Sequence, residues 1–172
     1  SRFLALKADV CIVKSLEMAK HLPNKTNYQV IPNGVNFDIF YPQNQVLARK
    51  TLGLAPEKII ALFASDPDRP EKNFSLASKS IRLLYRSDVE LITVFGKTQN
   101  ELNHWYSAAD IILLSSFHEG SPNTIKEAMA CNRPIVSTNV GDVAWVTEAT
   151  RGVFLGNDDP SIFSQKIADA IA

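Results

Sequence analysis

Glu119 and Glu127 stand eight positions apart, on either side of a stretch able to hold an anion. Glu119 falls in a polar loop after an apolar run, and Ser121-Pro122 marks a helix start, with Ser as cap and Pro in the first turn. From Pro122 such a helix brings Glu127 back toward the loop after about one and a half turns. Gly120 and Ser121 let backbone approach a ligand closely, and the helix amino end offers unpaired N–H groups. Those donors and the helix dipole favour negative charge. The carboxylates themselves are poor partners for phosphate but accept hydrogen bonds from vicinal hydroxyls. Two carboxylates flanking a phosphate site suit a molecule that joins sugar, phosphate and sugar, as nucleotide-sugars do. The plainer reading makes Glu119 a solvated loop residue and Glu127 a surface helix residue.

A second cluster, Arg69 and Lys72, lies in S-D-P-D-R-P-E-K-N-F directly after another apolar run. Two cations there can neutralise a diphosphate, Arg through a bidentate fork and Lys as a point charge. Taken alone, pairing with Asp66, Asp68 or Glu71 at the surface is the better account of them. Other residues carry less. His21 and His104 have no partner at metal-ligand spacing, and His118 reads as solvated. Trp105 and Tyr106 read as packing. Ser115-Ser116 lacks the Gly-x-Ser-x-Gly setting of a serine hydrolase.

These residues need a scaffold, and the periodicities supply one. Strands are expected at Val10–Val13, Ile59–Ala64, Val89–Phe95, Ile111–Leu114, Ile135–Ser137 and Val153–Leu155. Helices are expected after the first strand through about Leu22, over Asn44–Leu52, from Asn73 to Leu84, and over Glu101–Ala108. Further helices are expected from Ser121-Pro122 to Ala130, over Val143–Glu148 and from Asp159-Pro160 onward, the last with Ile162, Phe163, Ile167 and Ile171 as its apolar stripe. Pro32, Asn33 and Gly34 force a turn. This alternation implies an α/β fold, a Rossmann-like parallel sheet with helices on both faces. Ligands of such sheets bind beyond the carboxyl ends of the strands. The loops at 65–73, 96–100, 115–122 and 138–142 therefore matter most.

Composition narrows the function classes. The 172 residues, 45% hydrophobic and 21% charged, suit one well-cored domain with part of another. Eighteen basic and eighteen acidic residues cancel, which argues against a nucleic-acid binder. Cys11 and Cys131 lie among apolar residues and read as buried thiols in a reducing, cytoplasmic setting, with attachment to the inner face of a membrane left open for a longer protein. No run is long enough to cross a bilayer, and the opening at Ser1, without Met, is expected to be the interior of a longer sequence.

The segment E-G-S-P-N-T-I-K-E-A-M-A-C-N-R-P-I-V-S-T-N-V-G-D resembles the E-x7-E region of the retaining glycosyltransferases of family four, also called group 1, with the GT-B architecture. V-I-P-N-G-V-N-F-D-I-F-Y-P is similar to that family's approach to its carboxyl-terminal domain, R-P-E-K-N-F to its phosphate-contacting loop, and A-A-D-I-I-L-L-S-S-F-H-E-G to the stretch before the first Glu. The matches run in order from about Ile31 to Gly141. The resemblance implies an amino-terminal acceptor domain ending within residues 1–30 and a carboxyl-terminal nucleotide-sugar-binding domain over 31–172. It implies that Glu127 accepts the ribose hydroxyls of the donor and that Glu119 contacts the transferred sugar. Gly120, Ser121, Asn123 and Thr124 would bind sugar and phosphate oxygens through backbone N–H groups, and Lys72 with Arg69 would stabilise the leaving diphosphate. No cofactor and no metal is expected; the nucleotide-diphosphate sugar is the donor substrate. A glycan, lipid-linked or small-molecule acceptor and the missing domain complete the expected partners, and the hexosyl transfer should retain anomeric configuration.

This sequence departs from the family pattern in several places. Pro67 stands where the usual Arg lies, five residues before the Lys. Pro122 removes an N–H where Gly is frequent, Asp142 replaces a second Gly, and Trp145 replaces a Glu. The stretch V-F-G-K-T-Q-N-E-L-N-H-W-Y is shorter than the family's. A nucleotide-sugar epimerase of the same fold and a non-catalytic receiver or ligand-binding module are the competing readings. A phosphorylase would need a pyridoxal-phosphate lysine, and Lys126 lacks that setting. A receiver needs an Asp at the end of a central strand, which the order of elements does not provide.

Overall fold

The run Ile59–Phe63 is apolar at every position, so as a strand it must be covered on both faces. Ile60 and Leu62 pack with Ile112, Leu114, Ile125 and Tyr106 in one core cluster. Ala61 and Phe63 pack with Ile111, Leu113, Leu76, Phe163 and Ile167 in the other.

A computed structural model describes residues 2–172; Ser1, with which the expected first region opens, lies outside them. The elements are α1 (Arg2–Ala5), β1 (Cys11–Val13), α2 (Leu16–Ala19), β2 (Tyr28–Val30), α3 (Gln45–Leu52), β3 (Ile59–Phe63), α4 (Phe74–Leu83) and β4 (Val89–Thr93). There follow α5 (Gln99–Ala108), β5 (Ile111–Leu114), α6 (Asn123–Ala130), β6 (Ile135–Thr138), α7 (Val143–Thr147), β7 (Val153–Gly156) and α8 (Pro160–Ile171). A single 3-10 turn, Pro70–Lys72, leads into α4.

Five strands form one parallel sheet in the order β4-β3-β5-β6-β7. The chain moves from β3 outward to β4, then crosses back to β5 on the other side of β3. That reversal is a topological switch point, where the loops leaving β3 and β5 part and leave a crevice at the carboxyl edge. Those loops carry Arg69 and Lys72 on one side and Glu119 on the other. The expected α/β architecture is the observed one.

A separate parallel pair, β1 with β2, precedes this sheet, with Cys11 opposite Tyr28 and Val13 opposite Val30. The strand Tyr28–Val30 is absent from the sequence reading, because three residues before a Pro-Asn-Gly turn are too few to show a period. The helix expected to reach Leu22 ends at Ala19. Caps explain most other boundaries: Asn44, Asn73, Thr98 and Asp159 each accept a backbone N–H of the helix they begin. Ile162 leaves the expected stripe of α8 and is exposed, while Phe163 and Ile167 are fully buried.

At the opposite edge of the sheet, Arg49 is 2.5 Å from Asp110 Oδ2 and donates to the carbonyls of Ala108 and Pro56, both at 2.9 Å. Asp110 Oδ2 also accepts from the Ile60 N–H at 2.6 Å, tying α3 to the start of β3. Asp110→Ala removes the carboxylate shared by the guanidinium and that N–H, leaving Arg49 its two carbonyl acceptors but no counter-charge. The substitution is expected to lower the urea unfolding free energy by about 2–3 kcal/mol, whereas a loss within about 0.5 kcal/mol would show the pair to be incidental.

Candidate functional site

The loop after β3 is shaped by its own short side chains. Asp66 Oδ1 accepts from the Asp68 N–H at 3.0 Å, turning the chain, and the 3-10 turn then places Lys72 and Asn73. Asn73 sits at φ 49°, a left-handed conformation that Asn tolerates, and caps α4. The loop after β5 is laced to it: Ser115 Oγ shares its proton between the carbonyls of Lys72 and Asn73, each at 3.0 Å, and the Phe117 N–H donates to Glu71 O at 3.0 Å. These contacts bring Lys72 Nζ to 2.6 Å from Glu119 Oε1, with both side chains 15% exposed. Ser116 Oγ donates to the same carboxylate oxygen at 2.7 Å. A cation and an acid thus face each other across the switch point, partly open to solvent.

Arg69 is placed differently. Its guanidinium is held by Glu71 and is 56% exposed, so the loop does not turn it toward Lys72 and Glu119. With Pro67 at the family's arginine position, this loop brings Lys72 alone to Glu119.

The loop after β6 completes the edge. Thr138 Oγ1 donates to Ser116 O at 2.7 Å. Gly141, at φ 60°, lies so near that a Cβ there would stand 2.6 Å from Gly120 O and 2.7 Å from Glu119 O. No other residue fits between those backbones without displacing them. Gly120 is likewise tight, because a Cβ there would meet Met18 Sδ at 2.9 Å.

The helix start corrects the sequence reading. Pro122, not Ser121, is the capping residue of α6, and it offers no side-chain acceptor. Ser121 cannot cap because its hydroxyl, which donates to Asp142 Oδ2 at 2.7 Å, has both lone pairs taken by Lys126 Nζ and the Asn33 N–H, each at 2.9 Å. The first-turn N–H groups of Asn123, Thr124 and Ile125 therefore have no side-chain acceptor, which leaves that end free to meet an anion. Asn123 is exposed and Thr124 half-buried there, so the helix tip is open.

Glu127 is the fifth residue of α6, about 6 Å along the axis from Asn123. It is buried, not the surface residue of the plainer reading, and its Oε2 accepts from the Tyr106 hydroxyl at 2.7 Å. Tyr106 is fully buried, packs edge-on against Phe40, and has Thr124 within hydrogen-bonding reach. Burial and the neighbouring Glu127 hold its phenol well above the usual range, so it stays a donor. The sequence reading takes Tyr106 as packing alone; the available signal was that a buried Tyr hydroxyl needs a partner. Lys126 and Asp142 were also missed as partners, sixteen positions apart: the ammonium stands 2.8 Å from both oxygens of Asp142, in the place of a usual glycine. His118 is exposed, and both cysteines are free, Cys131 with its thiol pushed up to about 12 by burial.

The model of the glycosyl transferases group 1 family matches residues 57–172, which hold every element from β3 onward. The chain belongs to the group 1 glycosyl transferases. It is 28% identical over 171 residues to D-inositol 3-phosphate glycosyltransferase 2 of Catenulispora acidiphila, an alignment covering 78% of this chain and 40% of that enzyme. The chain thus spans about two fifths of the length of the curated relatives it matches. Among solved structures it resembles the sucrose-phosphate synthase of Thermosynechococcus elongatus, with TM-score 0.84 and 20% identity over 99% of this chain and 51% of that one. Anabaena HepE, solved with UDP and glucose, gives TM-score 0.76 and 17% identity over 99% of this chain and 55% of that one. These likenesses place the fold with the GT-B glycosyltransferases. They do not favour the receiver reading.

Burial is the stronger influence on Glu127 and raises its pKa above the ordinary 4.5, while donation from Tyr106 opposes the rise. A carboxyl with a higher pKa folded than unfolded favours the fold most when protonated. Its contribution is therefore complete below pH 4.5 and is lost as pH climbs through the raised value. Glu127→Gln, uncharged throughout, is expected to gain stability relative to wild type between about pH 4 and pH 8. Urea unfolding of both proteins at each pH reads the gap, and a gap that ignores pH contradicts the raised pKa.

Proposed function

We propose that this group 1 glycosyl transferase chain is the donor-binding part of an enzyme that moves a hexosyl group from a nucleotide-diphosphate sugar to an acceptor hydroxyl, with retained anomeric configuration. The observation that carries the reading is the Lys72–Glu119 pair at the switch point, beside the uncapped amino end of α6. Lys72 can exchange Glu119 for the departing diphosphate, whose developing charge also meets the first-turn N–H groups of α6. Glu119, steadied by Ser116, then accepts from hydroxyls of the sugar. Glu127, one oxygen held by Tyr106, has the other for the ribose. In the transfer, the bond from the anomeric carbon to the diphosphate oxygen breaks and a bond to the acceptor oxygen forms. The acceptor proton leaves with the diphosphate.

Gly120, Ser121, Asn123 and Thr124 contribute backbone groups in this reading. The role of Arg69 is confined to long-range attraction, because Glu71 holds it outward. No metal is needed where Lys72 and backbone dipoles carry the diphosphate. HepE was solved with UDP and glucose, which supports a donor of this class. Residues 31–172 form the donor domain, and residues before 31 end an amino-terminal domain that holds the acceptor. The setting is the cytoplasm.

Calorimetric titration of UDP, GDP, ADP and dTDP into this chain is expected to show one preferred ligand. Glu127→Ala and Lys72→Ala should each weaken it about tenfold, one or two lost hydrogen bonds apiece. If none of the four binds, the donor reading fails. The chain alone is also expected to release no sugar onto acceptors, since the acceptor half of the cleft is supplied elsewhere. Robust transfer by these 172 residues, followed as nucleoside diphosphate release, would overturn the division of labour.

A further inference from the structure

A buried polar knot lies between α6 and the linker that joins the two sheets, and none of the roles above uses it. Lys126, one residue before Glu127, is buried with its Nζ 2.8 Å from both Asp142 oxygens and 2.9 Å from Ser121 Oγ. Ser121 Oγ donates to Asp142 Oδ2 and accepts from Lys126 and from the Asn33 N–H at 2.9 Å. One proton and two lone pairs are all a hydroxyl has, so Ser121 is saturated. Asn33 commits its remaining donors to the same segment: its Nδ2 reaches Ser121 O at 3.0 Å and Asn123 Oδ1 at 2.9 Å.

Stability alone does not account for such a knot. A buried ion pair is commonly replaced by packed apolar side chains without loss, because desolvation offsets its attraction. Burial does push the Lys126 ammonium toward neutrality here, with Asp142 opposing. Direction is what the knot supplies. Three donors of Asn33 grip residues 121–123, the peptides immediately before the free N–H groups of α6.

We propose that Asn33 and Asp142 are positioning residues of the donor site, clamping residues 121–123 to the linker through Ser121 and Lys126 so that the first turn of α6 is aimed at the diphosphate. The proposal rests on the donor reading above. Neither residue touches the donor. Movement of the linker is transmitted to the helix tip through Asn33.

The test uses the whole chain and whichever of UDP, GDP, ADP and dTDP binds wild type most tightly. Asp142→Asn strands the ammonium, so both melting temperature and affinity should fall, the affinity about tenfold. The double variant Lys126→Met/Asp142→Asn removes the stranded charge; its melting temperature should recover while affinity stays about fivefold below wild type. Half-buried Asn33→Ala should also bind about fivefold more weakly, with faster hydrogen exchange confined to the amides of 119–126. That variant keeps the test open if the double variant fails to fold. Wild-type affinity in Asn33→Ala, or recovery of affinity together with melting temperature in the double variant, overturns the proposal. If wild type itself binds none of the four, the donor reading fails first and takes the proposal with it.

Discussion

Every face of the five-stranded sheet is covered, and that constraint directs the rest. Side chains of β3 and β5 are buried alternately against the α5–α6 side and the α4–α8 side, so neither surface can host polar chemistry. Backbone groups and charges that must meet a ligand are forced to the edge where the strands end. At that edge the order β4-β3-β5 makes two consecutive crossovers diverge, and the divergent loops carry the opposite charges. Had β4 and β5 stood on the same side of β3, Lys72 and Glu119 would be a strand's width further apart or more.

Electrostatics within the edge is arranged in two neutral pairs with different exposure. Lys72 and Glu119 retain some contact with water, so a competing anion can take the cation without stranding a buried charge. Lys126 and Asp142 are sealed, with side chains 9% and 0% exposed, and breaking them leaves an ion in a low dielectric. The first pair is therefore suited to exchange and the second to permanence. Glu127 belongs to neither. It is buried with a single side-chain donor, the Tyr106 hydroxyl, and burial holds its pKa above the ordinary value.

The sequence made the strands of the large sheet and several helix starts legible, because continuous apolar runs and an Asn or Asp before an amphipathic stretch are local signals; the Thr98 cap of α5 was not among them. Glu119, Lys72 and Glu127 were legible through their places after strands and within the helix that follows. What escaped depends on contacts between loops distant in sequence. The Ser121 hydroxyl looks like a cap until its lone pairs are taken by Lys126 and by the N–H of Asn33, eighty-eight residues earlier. Arg69 looks like a partner of Lys72 until the Asp66 turn and Glu71 fix its direction. Tyr106 looks like packing until Glu127 needs a donor. For Ser121 and Tyr106 a residue distant in sequence decided the outcome, whereas Arg69 is held by Glu71 only two positions away.

The small β1–β2 pair bears on the same edge, which its size alone would not lead one to expect. Two parallel strands of three residues cannot bury both faces, and Ile12 and Tyr28 are exposed on it. Yet α2, lying between those strands in sequence, reaches the loops of the large sheet. Glu17 Oε2 accepts from the Gly141 N–H at 3.2 Å, and Met18 closes on Gly120. Gly141 in turn presses against the backbone of Glu119 and Gly120, so a shift of α2 is conveyed by contact to the loop bearing Glu119. Asn33 conveys a shift of the linker to the tip of α6 on the other side. The edge is thus gripped from two directions by chain that precedes β3, and its geometry depends on where that preceding chain is held as much as on the sheet that carries it.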